Sequence, residues 1–205
     1  MLTPETMIAI LTSRSFGSIW YWIVLVGLWS GAGRAILGVP LDVLARARQA
    51  LRAAGAKDAA GSDRGADAHP AAAAMLLLDW LSLTLPRWRL GAGASAWLFG
   101  AVCFALTALA VMGWGYRAQM AQATFLLLAP LSVLFWMRVA LARRLAVLLD
   151  GAAAAAGPVA VDAVAADIVV RMVTHRRLTT LLSVISVSVA AIYGALWMAL
   201  HPNGL

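Results

Sequence analysis

A chain of 205 residues that is 63% apolar and 12% charged lacks the polar surface to coat a water-soluble globule, because soluble domains run at about 25% charged residues. With a mean hydropathy of +0.86, part of its solvent must be lipid. The net charge of +7 does not mark a nucleic-acid binder: the positives fall in two loops, no stacking or base-reading module accompanies them, and lipid headgroups are the acidic partner they fit.

Taken in chain order, MLTPETMIAILTS opens with Thr3 and Pro4 placed as N-cap and first residue of a short helix. It has no Lys or Arg before Arg14, so it does not read as a cleaved signal peptide, and the first span is expected to be retained. Nineteen uncharged residues then separate Arg14 from Arg34, enough for one transmembrane helix at about 16–33. Trp20, Tyr21 and Trp22 read as interfacial anchors, and Gly27-Leu-Trp-Ser-Gly31 is a GxxxG helix-packing motif.

The loop over 34–91 begins with LDVLARARQALR, where Leu41, Leu44 and Leu51 share one face and Arg46, Arg48 and Arg52 give a basic helix expected on the membrane surface. From Gly55 to Pro70 the Ala/Gly/Asp/Ser composition predicts a flexible linker. AAAAMLLLDWLSLTLP (Ala71–Pro86) is apolar but short, and a fifth span there would hold Asp79 in lipid; an interfacial helix is expected instead.

Uncharged gaps of 27 residues (Arg89 to Arg117) and 20 residues (Arg117 to Arg138) predict spans at about 92–114 and 119–137. Pro130 should kink the third span, with Gln119, Gln122 and Thr124 as the polar cluster near it and a small polar pocket as its sharper reading. In the loop over 138–177, GAAAAAGP reads as a linker with Pro158 opening a helix. Val161, Val164, Ile168 and Met172 then form a helical stripe that either packs on the protein or headgroups or docks a partner, and Asp167 and Arg171 stand four apart in the favourable order. The fourth span, about 179–200, places Ser186, Ala190 and Gly194 on a small-residue face for packing against the first span, with homodimerisation as the alternative.

Fourteen of the 16 Lys and Arg lie in the loops over 34–91 and 138–177. Four spans put both loops on one side, and the positive-inside rule makes that side cytoplasmic, with both termini outside. Trp114, Tyr116 and Trp197 then join the outer aromatic belt, and Trp88 and Trp136 the inner one. The expected architecture is all-α: a single polytopic membrane domain of four transmembrane helices with interfacial or amphipathic cytoplasmic helices.

Chemistry is sparse. The four apolar cores hold no Asp, Glu, Lys, Arg or His, which argues against proton-coupled transport and intramembrane proteolysis. His69, His175 and His201 are scattered, no HExxH or CxxC occurs, and Cys103 sits mid-span as the only thiol. Surface histidines and a buried apolar thiol are expected, with no catalytic residue, cofactor or metal site.

RSFGSIWYWIVLVGLWS, LGVPLDVLARAR and MGWGYRAQMAQATFLLLAPLSVLFWMRVALARR together resemble a family of small bacterial multi-pass membrane proteins labelled "component of SufBCD complex". The resemblance covers roughly half the chain and departs in the Ala/Gly-rich middle loop. It implies a place in the inner membrane and a partnership with iron–sulfur cluster assembly, and it transfers no functional residue. Clusters are held mainly by Cys thiolates, so a lone mid-membrane cysteine leaves contact or recruitment through the cytoplasmic loops. The expected function is therefore a non-catalytic accessory or scaffold protein, with Arg46, Arg48, Arg52, Arg171, Arg176 and Arg177 touching partners or headgroups; a homo-oligomer is compatible with it. The alternative is a small transporter or channel for a neutral solute, its path near Pro130.

Overall fold

The computed structural model describes residues 19–33, 35–59, 69–88, 91–154 and 158–200. The Thr3–Pro4 cap, the start of the first expected span, residues 60–68 of the expected linker and His201 lie outside the described residues.

The described chain is helical apart from one minimal hairpin and short connections. Helix α1 is Ile19–Ala32, strands β1 and β2 are Ala35–Ile36 and Val39–Pro40, α2 is Leu41–Ala59, and α3 is His69–Thr84, followed by a 3-10 turn at Leu85–Trp88. Helix α4 is Ala92–Ala110 and runs into a π-helical turn at Val111–Gly115; α5 is Gln119–Ala154 and α6 is Pro158–Leu200. Among the described residues three helical stretches are long and apolar enough to cross a membrane: Gly93–Gly115, Gln119–Gly151 and Ala163–Leu200. The described part of α1 is apolar but has 14 residues, about 21 Å at 1.5 Å per residue.

The 36 residues of α5 and 43 of α6 give rods of about 54 Å and 65 Å, against a hydrocarbon core of about 30 Å. Each therefore reaches well beyond its expected span. Two expected linkers shrink accordingly. Gly55–Ala59 still belongs to α2, and Gly151–Ala154 to α5, because alanine is the best helix former and outweighs an occasional glycine. Helix α6 opens at Pro158 as expected, where a fixed φ and a missing N–H cost a helix nothing. Helix α5 continues through Pro130.

The chain divides into two compact units: 1–32, 91–135 and 179–205 form the first, and 33–90 with 136–178 the second. In the first unit, Leu25 and Trp29 of α1 pack with Leu134 of α5 and Ala190 of α6, joined by Tyr21, Trp22, Leu127, Leu182 and Val187. Within the chain the GxxxG face is not used: nothing lies within 4 Å of a side chain built at Gly27 or Gly31, so of the two expected uses only homodimerisation is left to it. Both glycines stand two residues on from Leu25 and Trp29, a rotation of about 200°, so they face away from the contact. Ser186, Ala190 and Gly194 are buried, and the Ser186 hydroxyl donates to the Leu182 carbonyl (2.6 Å). Cys103, expected to be buried, is exposed on α4, whose apolar surface stands almost entirely open.

The second unit has a continuous core. Ile36, Leu37 and Val39 of the hairpin, Leu44 and Ala47 of α2, Leu77 and Leu81 of α3, Leu85, Leu141 and Leu145 of α5, and Ile168, Val169 and Met172 of α6 are buried together. The hairpin pairs Ala35 with Pro40 and Ile36 with Val39. Its two-residue turn needs positive φ at both positions, and Leu37 (55°) and Gly38 (88°) supply it. Burying Leu37 offsets the strain of a left-handed leucine.

Candidate functional sites

The second unit changes what its sequence motifs can do. Leu44 of α2 is buried and Leu41 and Leu51 pack against the core, so the face expected to lie on lipid is turned into protein. In the stripe at 164, 168 and 172, Val164 packs on the core, and Ile168 and Met172 are fully buried in it. The stripe therefore packs on the protein itself, the first of its two expected readings, and Ile168 and Met172 are not free to dock a partner. Outside remain the charges: Arg46, Arg52, Arg176 and Arg177 are exposed, and Arg48 and Arg171 half-buried. Arg171 Nε donates to Asp167 Oδ2 at 2.9 Å, the expected pair. Helix α3 is apolar on two sides: Ala74, Leu77 and Leu81 face the core, while Met75, Leu76, Trp80 and Leu83 are exposed, with Asp79 among them.

His175, expected on the surface, is only 6% exposed. It lies outside the expected spans, as does Arg138. Burial first, and the positive charge of Arg138 second, hold its pKa below the ordinary 6.5; burial also lowers that of Arg138. Sequence periodicity contained the signal, since residue 175 follows Ile168 and Met172 on one helical face, at the i+7 and i+3 positions.

In the first unit the expected polar cluster resolves into a specific arrangement. The π-helical turn widens the backbone, with the Tyr116 N–H reaching the Val111 carbonyl (3.3 Å) and the Ala118 N–H the Met112 carbonyl (3.2 Å). The Gly113 carbonyl is taken instead by Gln122 Nε2 at 2.7 Å. A Cβ at Gly113 would stand 2.9 Å from Gln122 Cγ and 3.1 Å from its backbone nitrogen, so this close approach requires glycine. Arg117, at φ 54°, makes the left-handed step that starts α5.

Gln122 is 7% exposed. Its Oε1 and the Nε2 of Gln119 are buried and find no partner among the described residues. Thr124 leaves the cluster, its hydroxyl donating to the Met120 carbonyl at 2.7 Å. Trp114 meets Phe125 edge-on (centroids 5.2 Å) and Tyr193 (6.2 Å). Sequence reading found the two glutamines and missed Gly113, whose only signal was the Gly-Trp-Gly spacing before Tyr116.

Of the expected aromatic anchors, Trp20, Trp114 and Tyr116 are exposed, while Tyr21, Trp22, Trp88, Trp136 and Trp197 are half-buried. Among the described residues no three His, Cys, Asp or Glu side chains are grouped to hold a metal. No family model, curated protein or solved structure matches the chain.

Proposed function

We propose that the chain is a four-span inner-membrane protein, both termini outside, that acts without catalysis as an accessory or scaffold subunit. In this reading 16–33 is the first of four spans, added to the three long apolar helices, and the basic loops are cytoplasmic under the positive-inside rule. The observation that supports it most is the core of the second unit: loop sequence that only had to connect spans would not bury Leu37, Leu77, Leu81, Leu145, Ile168 and Met172 together. A folded module offers a rigid surface for a partner. With its apolar stripes consumed internally, that surface is the charged exterior of α2 and the first half of α6, around Arg46, Arg52 and the Asp167–Arg171 pair. The exposed side of α3, with Met75, Leu76, Trp80 and Leu83, seats on the lipid interface as an apolar anchor. Cluster-assembly proteins are the partners the sequence resemblance suggests.

Purification of the tagged native protein in mild detergent, with mass spectrometry of what accompanies it, tests this. A stoichiometric partner lost on Arg46→Glu/Arg52→Glu supports the reading; a protein that is partner-free at every detergent strength overturns it.

One observation favours the second reading, a transporter or channel for a neutral solute: buried Gln119 Nε2 and Gln122 Oε1 have no hydrogen-bond partner among the described residues. Flux of such solutes in proteoliposomes, abolished by Gln122→Leu, is its test.

A further inference from the structure

We propose that Gln119 and Gln122, set by the π-helical turn, form a binding site for one small uncharged molecule that both donates and accepts hydrogen bonds, water being the smallest of the class and urea and glycerol simple members. The inference rests on the second reading only in naming its ligand; binding can hold without flux. The two side chains lie at i and i+3 on α5, neighbours on one helix face. One offers an unused donor, Gln119 Nε2, and the other an unused acceptor, Gln122 Oε1.

An apolar environment does not tolerate an amide left without partners, and lipid offers none. The other half of the Gln122 amide is fixed, because Nε2 is committed to the Gly113 carbonyl at 2.7 Å. That bond settles which end of the amide is available, so Oε1 cannot satisfy itself by flipping. The glycine contact at 113 holds Gln122 close to the turn, so the acceptor is preset. One free donor beside one free acceptor matches a molecule that both accepts and donates, whereas a simple cation would meet only the acceptor and a simple anion only the donor. π-Helical turns are rare and concentrate at functional sites.

The test uses the full chain in lipid bilayers, labelled with 15N-glutamine. The sequence has three glutamines, Gln49, Gln119 and Gln122, and Gln49 is exposed on α2 as an internal reference. Solid-state NMR then reads transfer from water protons to each side-chain amide, with urea and glycerol titrated in separate arms. Expected is water transfer to both buried amides, or saturable shifts in them with one of the solutes while Gln49 moves only linearly. Transfer without shifts identifies water as the ligand; saturable shifts identify the solute. Gln122→Leu should abolish the response at Gln119 while leaving Gln49 unmoved, with unchanged hydrogen-exchange protection of α5 reporting that the variant folds. Buried amides that neither receive magnetisation from water nor shift with either solute overturn the site, whatever the variant does. Binding without flux in proteoliposomes would sink the transporter reading and leave the site standing.

Discussion

The two units differ in charge, the second holding 14 of the 16 Lys and Arg, and they pack in opposite ways. The second buries fifteen residues in one core; the corresponding cluster of the first is Leu25, Trp29, Leu134 and Ala190, and large side chains such as Trp97 and Phe104 point outward. In water, every exposed leucine costs free energy, so helices close over one another. In lipid that driving force is absent, and helices associate through small residues and a few polar contacts. Under the proposed four-span reading, the first unit packs as helices in lipid do and the second as helices in water do.

The sharpest way to break this comparison is to make one substitution in both places. Leu145→Ala, in the closed core, should cost about 2–5 kcal/mol, read as lost hydrogen-exchange protection of α2 and α3. Leu196→Ala, on an exposed position of α6, should leave protection unchanged. Equal effects would mean the first unit is packed as tightly as the second.

Gly113→Ala comes next. Its Cβ meets the Gln122 backbone as well as the side chain, so the turn must open at about 1–3 kcal/mol, visible as loss of the Gln122 amide signal position. For His175, the folded pKa lies below 6.5, so acid protonates the unfolded chain first. The second unit should keep full stability above about pH 6.5 and lose it as pH falls from there toward the folded value; His175→Phe should remove that slope, checked by thermal unfolding across pH. Gly38→Ala, at φ 88° with Thr84 Cγ2 3.3 Å away, should cost about 1 kcal/mol in the same assay. The smallest effect belongs to Asp167→Asn, about 0.2–0.5 kcal/mol for an exposed i,i+4 pair.

What could be read from sequence follows the same division. Charge-free gaps reveal helices apolar enough to cross a membrane, because the penalty for an ion in hydrocarbon acts residue by residue; three long helices cover three of those gaps, and two of them run well beyond. Packing in the second unit was illegible because it depends on which elements meet. Leu41, Leu44 and Leu51 form an apolar face whether it covers lipid or α3, and periodicity cannot choose between them. Likewise, GxxxG states that two helices can approach closely at Gly27 and Gly31, not that they do; the larger Leu25–Trp29 face made the contact. The glutamines stood out as polar residues in an apolar run, while the π-helical turn that aims Gln122 depends on Gly113 meeting a residue nine positions away.

The most direct test of the account is the side of the membrane on which each unit's surface lies. Single cysteines at Arg52 and Tyr116, in a Cys103→Ala background, can be probed with a membrane-impermeant maleimide in right-side-out and inverted vesicles, with native Cys103 probed in parallel. Four spans predict that Arg52→Cys reacts only from the cytoplasmic face, Tyr116→Cys only from the outer face, and Cys103 from neither. Labelling of Arg52→Cys and Tyr116→Cys from the same face, or of Cys103 from either, would contradict it.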